Sequence, residues 1–359
     1  MGNEPQDPSY SRRQWMGLAA LGGVTAVAAG PRQATSETPP GPHRLALKAG
    51  QLEALVVDNH DGLAGEEQKH NRASVPQVAG GLGRLTVAVP FERRHNGYNG
   101  IARFSSGGSP HPFLPVASGL NCEFFFDGTE GTFEPRWSDL ENFRAQPSSL
   151  KRISEQEAWL QIEPGGRWGV HVETTFKLVE PWFLDVEHAF TPTRLDKIRT
   201  RYLGVFWASY IQAPRNPGYY LWGRRSSFEA PAWHGIFDAL DLYESGAIRA
   251  ERGPVGDAFR GQGRRLLYSF GSVRYVEPLM AGKVHGMLLA YLFRPSDELE
   301  IRPAFNAGGG GVGGPAWDYQ AVVPNPEEGR RYSFRLRVVY KPFEALDEAL
   351  DLHRDWVAR

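Results

Sequence analysis

The sequence predicts an all-β chain: a large antiparallel β-sandwich with a short C-terminal helix. Three observations lead there. Apolar and polar residues alternate at period two in segment after segment. Aromatic residues make up 12% of the chain, beside 41 glycines and 27 prolines, a composition of strands joined by long loops. Helical periodicity is confined to the C-terminal end.

Taken in order, Arg84 to Phe91 places Leu85, Val87, Val89 and Phe91 on one face. Gly119-Leu120-Asn121-Cys122-Glu123 opens a strand that runs on through Phe124-Phe125-Phe126. Trp168 to Leu178 alternates again, and Trp182 to Phe190 follows Glu180-Pro181, so the pair predicts a hairpin. Tyr202 to Ile211 is apolar on both faces, as a strand covered on both sides would be. Leu266 to Val276, His285 to Phe293, Glu298 to Phe305 and Tyr332 to Tyr340 complete the set. Gly235 to Ser245 predicts a short helix. In Phe343 to Val357, Leu346, Ala349, Leu350, His353 and Trp356 or Val357 recur at helical spacing, an amphipathic helix that packs on the sandwich. No internal repeat of fixed period occurs, which disfavours a propeller.

Bulk composition excludes several classes. Lys and Arg total 40 against 41 Asp and Glu, a net charge of -1; no basic field points to nucleic acid. The single cysteine, Cys122, rules out an internal disulfide framework and a cysteine-based zinc site. Its strand-like flanks predict a buried small residue.

The N-terminus carries an address. Ser11-Arg12-Arg13-Gln14-Trp15-Met16, followed by the Gly/Ala-rich run to Ala29, resembles a twin-arginine export signal. That run is too short and weakly apolar for a stable membrane span after processing. Ala26-Val27-Ala28 offers a cleavage site. The expected organisation is a signal peptide over 1–29, a polar linker over 30–43 and a single domain over 44–359. The expected partner is the twin-arginine machinery, and the expected location is periplasmic or secreted.

Several constellations suit a carbohydrate or other polar small-molecule ligand. His95-Asn96-Gly97-Tyr98-Asn99-Gly100 sets a His, amides and a phenol in a glycine-punctuated turn; left-handed turn geometry alone also explains it. Asn121 and Glu123 share a face by alternation, able to position a hydroxyl or act as base. On the strand after Pro181, Asp185 and Glu187 face one way and His188 the other, where a core histidine is the plain explanation. Trp233-His234 closes an aromatic loop containing Tyr219, Tyr220 and Trp222. Trp317-Asp318 follows the glycine loop Gly308 to Gly314, whose Gly308-x-Gly310-x-x-Gly313 spacing lacks the βαβ context of a dinucleotide site. Asp58-Asn59-His60-Asp61-Gly62 lacks calcium-loop spacing, so no metal is assigned, and no cofactor is named.

Four segments together, Tyr98 to Phe104, Gly119 to Glu123, Phe183 to Glu187 and Pro315 to Gln320, resemble the galactose-mutarotase-like β-supersandwich proteins. That fold serves polysaccharide lyases, hydrolases and sugar epimerases. The resemblance implies an exported carbohydrate-active protein that binds or processes an oligosaccharide in the concave face of the sandwich. A non-catalytic glycan-binding or envelope structural protein is the alternative. The acid/base candidates are His95, Glu187 and His285. The binding candidates are Asn96, Tyr98, Arg103, Asn121, Glu123, Trp233, His234, Trp317 and Asp318, with Trp233 or Trp317 flanking the site as a stacking surface.

Overall fold

A computed structural model describes residues 42–59, 98–114, 117–127, 141–164, 169–196, 198, 200–212, 218–241, 245–255, 265–307 and 315–359. The compact unit spans Gly41–Arg359. The expected signal, the expected linker as far as Gly41, the strand Arg84 to Phe91, Trp168, the glycine loop Gly308 to Gly314, and the candidates His95 and Asn96 lie outside the described residues.

The strands in chain order are β1 (Arg44–Ala49), β2 (Leu52–Val57), β3 (Gly100–Ser106), β4 (Asn121–Phe126), β5 (Glu141–Asn142), β6 (Ser148–Arg152) and β7 (Glu157–Ile162). Next come β8 (Val170–Val179), β9 (Phe183–Pro192), β10 (Tyr202–Ala208), β11 (Tyr220–Arg224), β12 (Ala232–Gly235) and β13 (Ser245–Ala250). The last are β14 (Phe270–Tyr275), β15 (Leu279–Val284), β16 (Met287–Phe293), β17 (Glu300–Asn306), β18 (Ala316–Pro324) and β19 (Tyr332–Pro342). Helices are short: α1 (Ile236–Ala239), α2 (Arg265–Tyr268) and α3 (Asp347–Ala358).

Among the described residues, sixteen strands form one sheet, ordered β5-β4-β10-β18-β17-β13-β14-β11-β15-β16-β19-β9-β8-β7-β6, with β12 beside β11. The pairing is antiparallel except between β13 and β14. β1, β2 and β3 make a separate antiparallel sheet, and Phe104 of β3 meets Tyr340 of β19 with ring centroids 5.8 Å apart. The large sheet folds back on itself. His188 of β9 lies against Trp207 of β10, with centroids 4.6 Å apart, although the two strands are far apart in sheet order. The fold class is a large antiparallel β-sandwich with a short C-terminal helix, as the alternation predicts.

Alternation places the core. In β19, Tyr332, Phe334, Leu336, Val338 and Tyr340 are buried, while Ser333 and Arg335 are exposed. Trp207, Trp317, Tyr291 and Tyr319 are among the largest fully buried side chains of the inner layer. Truncating one such aromatic costs about 3–5 kcal/mol. A second apolar layer lies on the opposite face of β4, β10 and β18 and contains Phe124, Phe126, Phe206 and Tyr210. A third lies under α3, whose Ala349, Leu350 and Trp356 are buried.

Some elements differ from expectation. Residues 266–268 belong to the helical turn α2, and the strand starts only at Phe270. One turn is too short to show a period of 3.6, and its carbonyls are satisfied by a distant group: Gln320 Nε2 donates to Leu266 O at 3.1 Å and to Leu267 O at 3.4 Å. His285 and Gly286 form the tight turn between β15 and β16, both at positive φ (53° and 82°). That is the geometry of a type I′ hairpin turn, whose hand matches the strand twist.

Candidate functional site

Ser118-Gly119-Leu120 turns the chain into β4. Ser118 (φ 54°) and Leu120 (φ 53°) are both left-handed, at about 1–2 kcal/mol each. Hydrogen bonds hold the turn. Gly119 and Ile101 exchange two backbone bonds of 2.8 Å, and Leu120 N donates to Ser209 Oγ at 3.0 Å. Gly100, at φ 98°, approaches so closely that a Cβ there would lie 2.5 Å from the Gly119 oxygen; the position requires glycine.

β4 then departs from alternation. Phe124 lies opposite Phe206 of β10, and Cys122 lies opposite the next residue, Trp207. Glu123 is therefore the extra residue of a β-bulge, a device that bends a strand and redirects a side chain. Glu123 and Asn121 reach one target, Arg144, in the 3-10 turn Phe143–Ala145. Arg144 Nη2 lies 3.0 Å from Glu123 Oε1 and donates to Tyr210 Oη at 2.9 Å. Tyr210 Oη donates to Glu123 Oε2 at 3.3 Å. Asn121 Oδ1, in the amide orientation that Arg144 requires, accepts from Arg144 Nε at 3.0 Å and from Nη2 at 2.6 Å. The guanidinium lies over the Tyr98 ring, 4.1 Å from its centroid, and Tyr98 meets Tyr210 edge-on at 5.7 Å. Arg144 and Glu123 remain 11% and 16% exposed, so the ion pair sits at the rim of the cluster rather than deep beneath it.

Asp318 of β18 joins from the far side of β10. Oδ1 accepts the Ser209 N–H at 3.2 Å, and the residue is 1% exposed. Burial, reinforced by the charge of Glu123, pushes its carboxyl well above the ordinary value. Burial opposes the charge of Arg144, yet Glu123 and the phenols of Tyr210 and Tyr98 outweigh it, so the guanidinium is held protonated. Burial raises the Tyr210 phenol. The cluster thus combines an ion-paired carboxylate, a protonated guanidinium, a neutral phenol and a carboxyl biased toward its acid form. Such a set can donate and accept hydrogen bonds and can move a proton. Among the described residues, no three His, Cys, Asp or Glu side chains converge as a metal site requires.

The structure brings Tyr98, Asn121 and Glu123 together around Arg144, sets Asp318 on the other side of β10 within reach of the Glu123 charge, and sets the other described candidates elsewhere. Trp317 precedes Asp318 on β18 and so points to the opposite face. It is fully buried against Tyr219 and Tyr291, and it offers no stacking surface. Trp233 Nε1 donates to Asp347 Oδ1 of α3 at 2.7 Å, and His234 Nε2 lies 3.2 Å from Gly223 O. Glu187 pairs with Arg331 at 3.4 Å and Arg335 at 3.5 Å on the solvated face of β9. His285 is exposed at its hairpin tip, and Arg103 is exposed on β3. Neither Arg144 nor Tyr210 is among the sequence candidates. Arg144 sits in a segment with no readable period, and Tyr210 lies within a run, Tyr202 to Ile211, that reads as apolar on both faces.

No protein-family model matches the chain, and no curated protein matches it. Solved structures do align with it, two of them as follows. One is a candidate aldose 1-epimerase from Escherichia coli K12, at 12% identity and TM-score 0.31, over 84% of this chain and 99% of that one. The other is a GalM/aldose epimerase homologue from C. elegans, at 11% identity and TM-score 0.40, over 84% and 99%. At those scores neither likeness carries an argument about this chain.

Proposed function

We propose that this is an exported carbohydrate-active protein whose cluster of Tyr98, Asn121, Glu123, Arg144, Tyr210 and Asp318 contacts the sugar. One observation supports it above the others: two carboxyl groups in opposed electrostatic settings share a site with an amide, a guanidinium and two phenols. Sugars offer hydroxyl donors and acceptors together with an apolar C–H face, which these groups match. Glu123, charged against Arg144, is suited to accept a proton, and Asp318 to supply one. That division suits lyase, hydrolase or epimerase chemistry on a sugar.

Binding without turnover is the second reading, and a specific observation favours it. Asp318 is 1% exposed and reaches a ligand only if its surroundings move. Saturation-transfer NMR against a panel of neutral and acidic mono- to tetrasaccharides, followed by proton NMR of the sugars over time, separates the two. Binding with new sugar signals marks an enzyme; binding with none marks a binding protein. No binding across the panel, or binding unaffected by Glu123→Gln, overturns the site. The export part has its own test: Arg12→Lys with Arg13→Lys should abolish export.

A further inference from the structure

Two buried asparagines lie behind the cluster, and between them they hold the backbone beside each half of its ion pair. Asn99 is fully buried and Asn59 is 6% exposed. Asn99 acts as a surrogate strand for Cys122: its Oδ1 accepts the Cys122 N–H at 2.8 Å and its Nδ2 donates to the Cys122 carbonyl at 2.9 Å. Cys122 immediately precedes Glu123, where the bulge breaks the ladder with β10. Asn99 Nδ2 also donates to Asn59 Oδ1 at 2.9 Å. Asn59 Nδ2 in turn donates to Phe143 O at 2.7 Å and Gln146 O at 2.9 Å, the two carbonyls that bracket Arg144. The Asn59 backbone N–H ends the chain on Ser148 Oγ at 3.0 Å.

We infer that Asn99 and Asn59 are positioning residues that set the Glu123–Arg144 pair from behind. Each amide uses its oxygen and both its hydrogens, so the relay is fully satisfied. Buried networks of that kind specify one geometry, and partly satisfied ones do not. A β-bulge leaves its extra residue, Glu123, unpaired with the neighbouring strand. The 3-10 turn carrying Arg144 is one turn long and cannot fix itself. The relay ties both to a common point, so the carboxylate and guanidinium meet at 3.0 Å. An aspartate at either position keeps the shape but loses both donors and faces carbonyl oxygens instead. The inference deepens the proposed carbohydrate site and rests on it for its functional meaning, though its geometry can be tested without a sugar.

The test uses the full chain labelled with 15N-arginine, with the Arg144 Nε–H signal assigned by its loss in Arg144→Lys. Asn99→Asp and Asn59→Asp should each speed exchange of that proton about fivefold, as the loss of a roughly 1 kcal/mol restraint implies. Val338→Ala, a core truncation chosen to lower the melting temperature comparably, should leave the signal in place. If the folded asparagine variants leave Arg144 unchanged, or if Val338→Ala moves it equally, the inference falls. Should both asparagine variants fail to fold, Ser148→Ala decides: faster Arg144 exchange supports the relay and unchanged exchange overturns it. Titration of each variant with D-glucose and D-galactose runs in parallel. If Arg144 responds while no sugar binds even the wild type, the relay stands and the carbohydrate reading fails.

Discussion

His188 and Tyr319 join the two halves of the sandwich. Imidazole Nε2 lies 2.7 Å from the Tyr319 phenol oxygen, and Nδ1 lies 2.9 Å from Thr174 Oγ1, so both ring nitrogens are satisfied in a site with no solvent contact. Burial alone lowers the His188 pKa to about 3.

That depression has a direct consequence for acid stability. The unfolded histidine titrates near 6.5, so between about pH 6.5 and 3 only the unfolded chain binds the proton. Stability is therefore lost as pH falls through that window, by about 1.4 kcal/mol per unit from this group. Chemical denaturation of wild type and His188→Gln at pH 7 and pH 5 should show a shallower acid loss in the variant. Equal losses in both proteins would place the titration elsewhere.

Arg144→Ala should destabilise the fold by about 1.5–3 kcal/mol, because it removes charged hydrogen bonds from a mostly buried carboxylate and phenol. Glu123→Gln keeps an acceptor for Tyr210 and should cost less. Urea unfolding gives the ranking. If the proposed site is right, sugar affinity in both variants falls further than stability does.

Backbone crowding predicts two alanine scans of different outcome. At Gly204 an added Cβ lies 2.2 Å from the Phe126 ring; the ring can shift, at about 1–3 kcal/mol. At Gly271 the obstacle is the Ala239 backbone oxygen, at 1.7 Å, which no rotamer change relieves. Gly271→Ala should show the larger drop in melting temperature, and the reverse order would mean that the α1–β14 approach is looser than described.

Trp233 anchors α3 through Asp347 and meets Trp222 edge-on at 5.5 Å. Trp233→Ala should lower the melting temperature and raise hydrogen exchange across Asp347–Ala358, while any sugar affinity stays unchanged. A selective loss of sugar binding in a fully stable variant would return Trp233 to the list of ligand contacts.

Local pattern determined a good deal of this protein. The alternation Tyr332 to Tyr340, the hairpin around Pro181 and the helical stripe through Ala349, Leu350 and Trp356 appear where expected, because core-facing side chains must repeat with the period of their own backbone. The core character of His188 was equally legible, as a lone histidine on an apolar face. What the chain did not disclose locally is which faces meet. Asn121, Glu123 and Asp318 were candidates from their residue type and strand position. Their convergence with Arg144 depends on a bulge created by pairing with β10, and on a return of β18 to β10 across more than a hundred residues. Trp317 looked like a stacking surface from composition, but one step along β18 turns it into the core. Arg144, Tyr210, Asn59 and Asn99 left no periodic trace, since a relay of single side chains has no repeat to read. Period and propensity are properties of neighbours in the chain; a site assembled from bulges, turns and side-chain amides is a property of neighbours in space, decided only when the sheet closes.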